Sequence, residues 1–281
     1  MRKQSIGVLL LVGGILVAGR LPAQDADAAA APARPTEGPV IIHLPSAEVP
    51  KAGTLTLLFT HRFSEPLAKS DFHSLYSFDS GADIGIGLSY AALPHLDVGF
   101  YRSSYLDVYE VFGKYQFLSD GPVRVSARAG GDFRTERNLD SEEGYSRNGF
   151  FAQGIVAWVI SSRGRITAVP TYVSETSGQP FTNPKPSYKR IFQIPTALSF
   201  GVTRSINVQA EIYPRLSRID SQGVGWTAAI EKTVAGHRFA FTVGNVRTTT
   251  VDQYVGSVPF QVNPHDYYIG FNLMRQWKLK R

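Results

Sequence analysis

The chain has no cysteine among its 281 residues. That excludes disulfides, thiolate chemistry and a lipid-modified cysteine anchor, and it suits a protein that faces a disulfide-forming compartment. Beyond the first 18 residues no apolar run approaches the length a helix needs to cross a bilayer, and no segment of useful length has helical periodicity. There is no GxGxxG loop and no P-loop. The histidines (His43, His61, His73, His95, His237 and His265) include neither a His-x-His nor a His-x-x-x-His pair, so no metal site is expected. Basic residues are scattered without aromatic interleaving. No nucleic-acid partner and no cofactor are expected.

What is present begins with a short basic start, Arg2 and Lys3, followed by an apolar stretch from Ile6 to Ala18. That stretch fits a signal peptide and is too short for a spanning helix. Cleavage is expected after Ala23, with Ala28 as a second position; a retained anchor is the alternative. Losing Arg2, Lys3 and Arg20 lowers the net charge of +6 to roughly +3. The expected organisation is a signal peptide over 1–23, a flexible periplasmic segment over 24–52 and a β-domain over 53–281. Asp25 to Pro39 is rich in Ala, Pro and acids. Val40 to Lys51 is more apolar and could pack inside or under a barrel mouth.

From Gly53 the period is two. Leu55, Leu57, Phe59 and Phe63 oppose Thr54, Thr56, Thr60 and Arg62; Ile84, Ile86 and Leu88 oppose Asp83, Gly85, Gly87 and Ser89. The pattern recurs about twelve times, an even number as single-chain bacterial barrels have. Phe150 to Ile160 is apolar on both faces and has no orientation from pattern alone. Pro170, Pro195 and Pro214 interrupt strand readings and are expected to mark bulges or strand ends. Alternate connections are tight turns: Leu93-Pro94-His95, Ser119 to Pro122, Ser161 to Gly164, Arg204-Ser205 and Ala235-Gly236-His237. The others include long polar loops at 64–80, 134–148, 174–190 and 247–265. Short turns on one rim and long loops on the other is the asymmetry of outer-membrane barrels.

A secreted lipocalin-like barrel or β-sandwich would also alternate, with its apolar face inward. Two features favour the membrane. The polar face is mostly small residues punctuated by charges. Aromatics gather near strand ends, at Phe63, Tyr90, Tyr101, Tyr109, Phe117 and Phe133, where membrane interfaces would lie. The expected fold is therefore all-β, an antiparallel transmembrane barrel of about twelve strands, exported to the outer membrane of a Gram-negative-type bacterium. Outer-membrane lipid and the barrel-assembly machinery are its expected partners.

The segment Ile42-His43-Leu44-Pro45-Ser46-Ala47-Glu48-Val49-Pro50-Lys51-Ala52-Gly53, with Phe59-Thr60-His61-Arg62-Phe63, Gly81-Ala82-Asp83-Ile84, Arg102-Ser103-Ser104 and Asp266 to Asn272, resembles a bacterial family catalogued as domain of unknown function 5777. The similarity runs from about Val40 to the C-terminus. It implies a membrane β-barrel and carries no catalytic residues to transfer.

Alternation places a balanced set of charges in the lumen: Arg62, Lys114, Arg124, Arg128, Arg165, Arg215 and Arg238 against Asp83, Asp97, Glu110, Asp132, Glu211 and Glu231. A selective pore would show an excess of one sign. A balanced set reads first as a salt-bridge network, because unpaired interior charges are costly. A basic stripe of Arg124, Arg128 and Arg165 left unpaired would revive the selective pore. A narrow pore for small solutes and a structural membrane protein are the leading expectations, without enzymatic activity. A lipid hydrolase built on His61 is the alternative, although Ser103 and Ser104 follow the third strand and are not its neighbours by sequence order, and no spacing forces a triad; a secreted ligand-binding β-protein is another.

Overall fold

The computed structural model describes residues 37–135, 147–177, 188–214, 224–255 and 265–279. The leader and residues 24–36 lie outside them.

Among the described residues, fourteen strand segments form one antiparallel sheet that closes on itself. They are β1 (Thr54–Phe63), β2 (Ala82–Leu93), β3 (Leu96–Ser103), β4 (Val108–Leu118), β5 (Val123–Arg134), β6 (Asn148–Val159), β7 (Gly164–Ala168), β8 (Thr171–Glu175), β9 (Lys189–Gln193), β10 (Thr196–Gly201), β11 (Ile206–Tyr213), β12 (Gly225–Val234), β13 (His237–Gly244) and β14 (Tyr268–Lys278). β7 and β8 are one barrel strand broken at Pro170, and β9 and β10 another broken at Pro195; β6 pairs with both β7 and β8. The barrel thus has twelve strands. Proline removes a ladder donor, and each of the two breaks falls beside one. Pro214 ends β11. Closure comes from β1 against β14, with Thr54 opposite Lys278 and Arg62 opposite Gly270.

The faces decide between membrane and water. Ile86, Val208 and Ile230 are more than 40% exposed on the outside, while Arg62, Glu211 and Thr227 are at most 2% exposed inside. Apolar outside and polar inside is the inverse of a soluble barrel, and a closed sheet satisfies the backbone groups that lipid cannot. Phe150 to Ile160 gains an orientation: Phe151, Gln153, Ile155 and Ala157 face inward and Trp158 outward. Tyr101, read from pattern as an interfacial ring, instead faces the lumen at 6% exposure and donates or accepts a 2.6 Å hydrogen bond with Thr60. Its ring lies over Gly85 and Gly87. A Cβ on Gly85 would come within 1.8 Å of the Tyr101 hydroxyl, so these glycines make room for a ring.

A twelve-strand lumen is too wide for small wall side chains to fill. Among the described residues, two segments fill it. From the short-turn side, Glu37 to Lys51 folds inward as a small hairpin, with Val40 bridged to Pro45 and the Ile41 N–H donating to the Leu44 carbonyl at 2.8 Å. The flexibility that composition suggests for 24–52 therefore does not extend to this part. Its backbone groups find partners on the barrel wall, and Ile41, Ile42, Leu44 and Ala47 are buried. From the long-loop side, a short helix α1 (Val251–Val255) descends from the β13–β14 connection, every residue of it buried.

Candidate functional site in the lumen

The hairpin tip is held by one carboxylate. Glu211 on β11 accepts the backbone N–H groups of Ile42 (2.9 Å), His43 (3.1 Å) and Leu44 (3.0 Å). The His43 Nδ1 lies 3.1 Å from the same carboxylate, and the Tyr213 hydroxyl donates to it at 2.5 Å. On the far side of the ring, the Arg62 guanidinium donates to His43 Nε2 at 3.3 Å. A donor at Nε2 and an acceptor at Nδ1 select the neutral tautomer protonated on Nδ1. Burial pushes the His43 pKa below its ordinary value, against the pull of Glu211. Arg62 is itself anchored by the Asn272 side chain at 2.8 Å, and Asn272 donates to the Ile42 carbonyl at 2.8 Å.

The legs of the hairpin are held by cations. Lys114 Nζ donates to the carbonyls of Pro39 (3.3 Å), Ser46 (3.4 Å) and Glu48 (2.6 Å). Arg124 and Arg165 both reach the Glu48 carboxylate, Arg165 at 3.0 Å. Arg165 also lies 3.3 Å from Glu37, whose pKa burial raises.

On the long-loop side, Arg134 pairs with Asp252 at 2.8 Å with both side chains fully buried. Asp252 further accepts the Ser177 N–H (2.9 Å) and the Thr250 hydroxyl (2.7 Å). Glu110 accepts the Val251 N–H at 3.0 Å and pairs with Arg128, whose guanidinium covers the Phe112 ring at 4.0 Å. Hairpin and helix meet mid-lumen, where the His43 and Tyr254 rings stand 6.3 Å apart. A cavity of about 70 Å³ remains beside them, lined in part by Thr56, Ser89, Asp97 and Lys114. That is room for a few water molecules.

A family model described as a membrane-bound β-barrel domain, DUF5777, matches residues 37–277. The chain belongs to that family. The match begins at the first residue of the hairpin, so in this DUF5777 barrel the plug is part of the domain. No curated protein is significantly similar. Similar solved structures include the NanC porin (7% identity, TM-score 0.47, covering 80% of this chain and all of that one) and outer-membrane phospholipase A from Escherichia coli (12%, 0.44, 79% and 89%). LpxR from Salmonella typhimurium is a third (10%, 0.34, 80% and 100%).

The DUF5777 barrel points twelve of the thirteen charges read from alternation into its lumen; Arg215 lies outside the described residues. Besides those already placed, Arg238 pairs with Glu231 at 3.0 Å, and Asp83 accepts the Ser103 hydroxyl at 2.7 Å. Asp132 is fully buried opposite Glu110 on the neighbouring strand. Arg124, Arg128 and Arg165 each end on a carboxylate rather than forming an open stripe. His61 faces lipid, stacked on Phe271 at 5.0 Å, while Ser103 and Ser104 bond to Asp83. Pattern reading missed His43, Glu48, Arg134 and Asp252. Arg134 was within reach, since it shares the inward parity of Asp132. The other three lie on segments with no strand period, where alternation says nothing.

Proposed function

We propose that this protein is a closed but openable conduit for small solutes in the outer membrane of a Gram-negative-type bacterium. It is exported through a cleaved leader, placed by the barrel-assembly machinery and without enzymatic activity of its own. The observation that carries the proposal is how the lumen is shut. The hairpin is held by hydrogen bonds and ion pairs to wall residues, and water can take over each of those when the hairpin leaves. Its withdrawal would expose a lumen lined by both signs of charge, which favours weakly selective passage. The hydrolase reading finds little support, because among the described residues no serine bonds to His61 and the His61 Nδ1 has no hydrogen-bond partner.

Planar-bilayer recording tests the proposal. The full-length barrel should stay mostly closed with brief openings, and a form lacking 37–51 should conduct steadily. A form lacking both 37–51 and α1 that still seals the bilayer would overturn the conduit and leave a structural barrel.

A further inference from the structure

The loop joining β1 to β2 displays apolar side chains that the lumen does not use. Phe72 is 73% exposed, Leu75 54%, Tyr76 49% and Phe78 41%. The loop is nonetheless well held. The buried Ser77 hydroxyl donates to the Glu65 carbonyl at 2.7 Å, and the Tyr76 N–H donates to the Asp71 carbonyl at 2.8 Å. Its opposite margin is tied down by Lys69, 3.2 Å from Asp266. The backbone is strained as well. Leu75, Tyr76 and Ser77 take φ of 46°, 53° and 82°, three successive left-handed residues with no glycine among them. L-residues adopt that conformation at a cost, and such strain persists only where the surrounding structure enforces it, often at functional sites.

The rings show which way the patch faces. Phe78 packs edge-on against Phe63 at 5.1 Å. Phe63 neighbours His61 at 4.5 Å, His61 stacks on Phe271, and Phe271 lies 5.8 Å from Phe239. A chain of rings thus runs over the lipid-facing side from β13 across β14 and β1, and Phe78 carries it into the loop. An exposed apolar patch of this kind marks a contact surface. Its continuity with the lipid belt selects the occupant.

We propose that this loop is a lipid anchor, with Phe72, Leu75, Tyr76 and Phe78 seated in the headgroup and acyl boundary of the outer leaflet beside the β1–β14 seam. Phenyl and phenol rings suit that depth. The absence of cysteine makes the test direct. Spin labels on Phe72→Cys and Tyr76→Cys barrels in phosphatidylcholine nanodiscs are read for collisions with oxygen, which concentrates in lipid, and with a water-soluble nickel chelate. Ile86→Cys serves as the lipid reference and Asp120→Cys, in a short turn, as the water reference. Both loop labels should show an oxygen-to-nickel ratio near that of Ile86→Cys and several-fold above that of Asp120→Cys. Ratios equal to Asp120→Cys at both positions would overturn the anchor and leave a docking face for a protein. Because both labelled positions are exposed, folding is retained, and heat-modifiable gel migration verifies it for each preparation.

Discussion

The carboxylate of Glu211 accepts the backbone N–H of Leu44 at 3.0 Å across 167 positions of sequence. With the N–H groups of Ile42 and His43 on the same two oxygens, a single wall residue satisfies the donors of a whole turn. The tip of the plug has no helix or sheet of its own to do so. Removing that acceptor therefore acts on the plug before it acts on the barrel.

Glu211→Ala should leave the barrel folded, with heat-modifiable migration retained, and raise the open fraction in bilayer recordings at least tenfold. Three buried donors lose their acceptor, each at about 1–3 kcal/mol. Unchanged closure would show that the tip is not what holds the plug.

Lys114→Met tests the legs. A charged donor serving three carbonyls contributes about 1.5–3 kcal/mol per bond at most, so its loss should speed protease cleavage near Lys51 by roughly tenfold or more in reconstituted vesicles. An unaltered cleavage rate would place the hold elsewhere.

Acid should loosen the plug. Docked His43 has its pKa pushed below the ordinary 6.5, so a released plug takes up a proton that the docked plug refuses. Docking is at full strength above about 6.5 and weakens as pH falls through that value toward the lower, docked pKa. Glu37, raised from its ordinary 4.5, works the other way: its contribution is complete below 4.5 and is lost as pH rises. Conductance should rise between pH 7.5 and 5.5 in the parent and stay level or fall in His43→Gln, where only the opposing Glu37 remains. Parallel curves for the two would discard His43 as the sensor.

Arg134→Met leaves Asp252 buried without its cation. Breaking such a pair typically costs about 3–5 kcal/mol, which should appear as a lower gel-shift temperature. Asp252→Asn with Arg134→Met should recover part of the loss, and a double variant no better than the single one would argue against direct pairing.

On the lipid face, Ile86→Arg near mid-barrel should reduce folding into vesicles by about 2–4 kcal/mol. If that variant instead became soluble without detergent, the outward face would not be touching acyl chains.

The barrel was legible because its wall obeys one rule. Ile84, Ile86 and Leu88 against Asp83, Gly85 and Ser89 is a pattern that only side-chain alternation produces, and the proline breaks at 170 and 195 follow from a missing donor. The rule failed where the lumen is not watery. Phe151 and Ile155 are inward yet apolar because hairpin and helix pack there, so β6 carries no contrast between its faces. The plug was legible only as an apolar tract before the first strand. Its partners sit more than a hundred positions away, and backbone N–H groups bonding to Glu211 leave no side-chain pattern to read. Tyr101 misled for a related reason: a ring near a strand end suits an interface, but Gly85 and Gly87 opposite it open a bed inside.

The seam between β1 and β14 joins the beginning of the wall to its end. Until Tyr268–Lys278 has been synthesised and delivered, the edge from Thr54 to Arg62 has no partner for half its peptide groups, and hydrocarbon tolerates no such edge. The hairpin precedes that edge in the chain, and its tip touches Arg62 on one side of the seam and Asn272 on the other. Joining the two edges brings together Arg62 and Asn272, the residues that grip the tip from either side, so the berth of the occupant is complete only once the wall is closed.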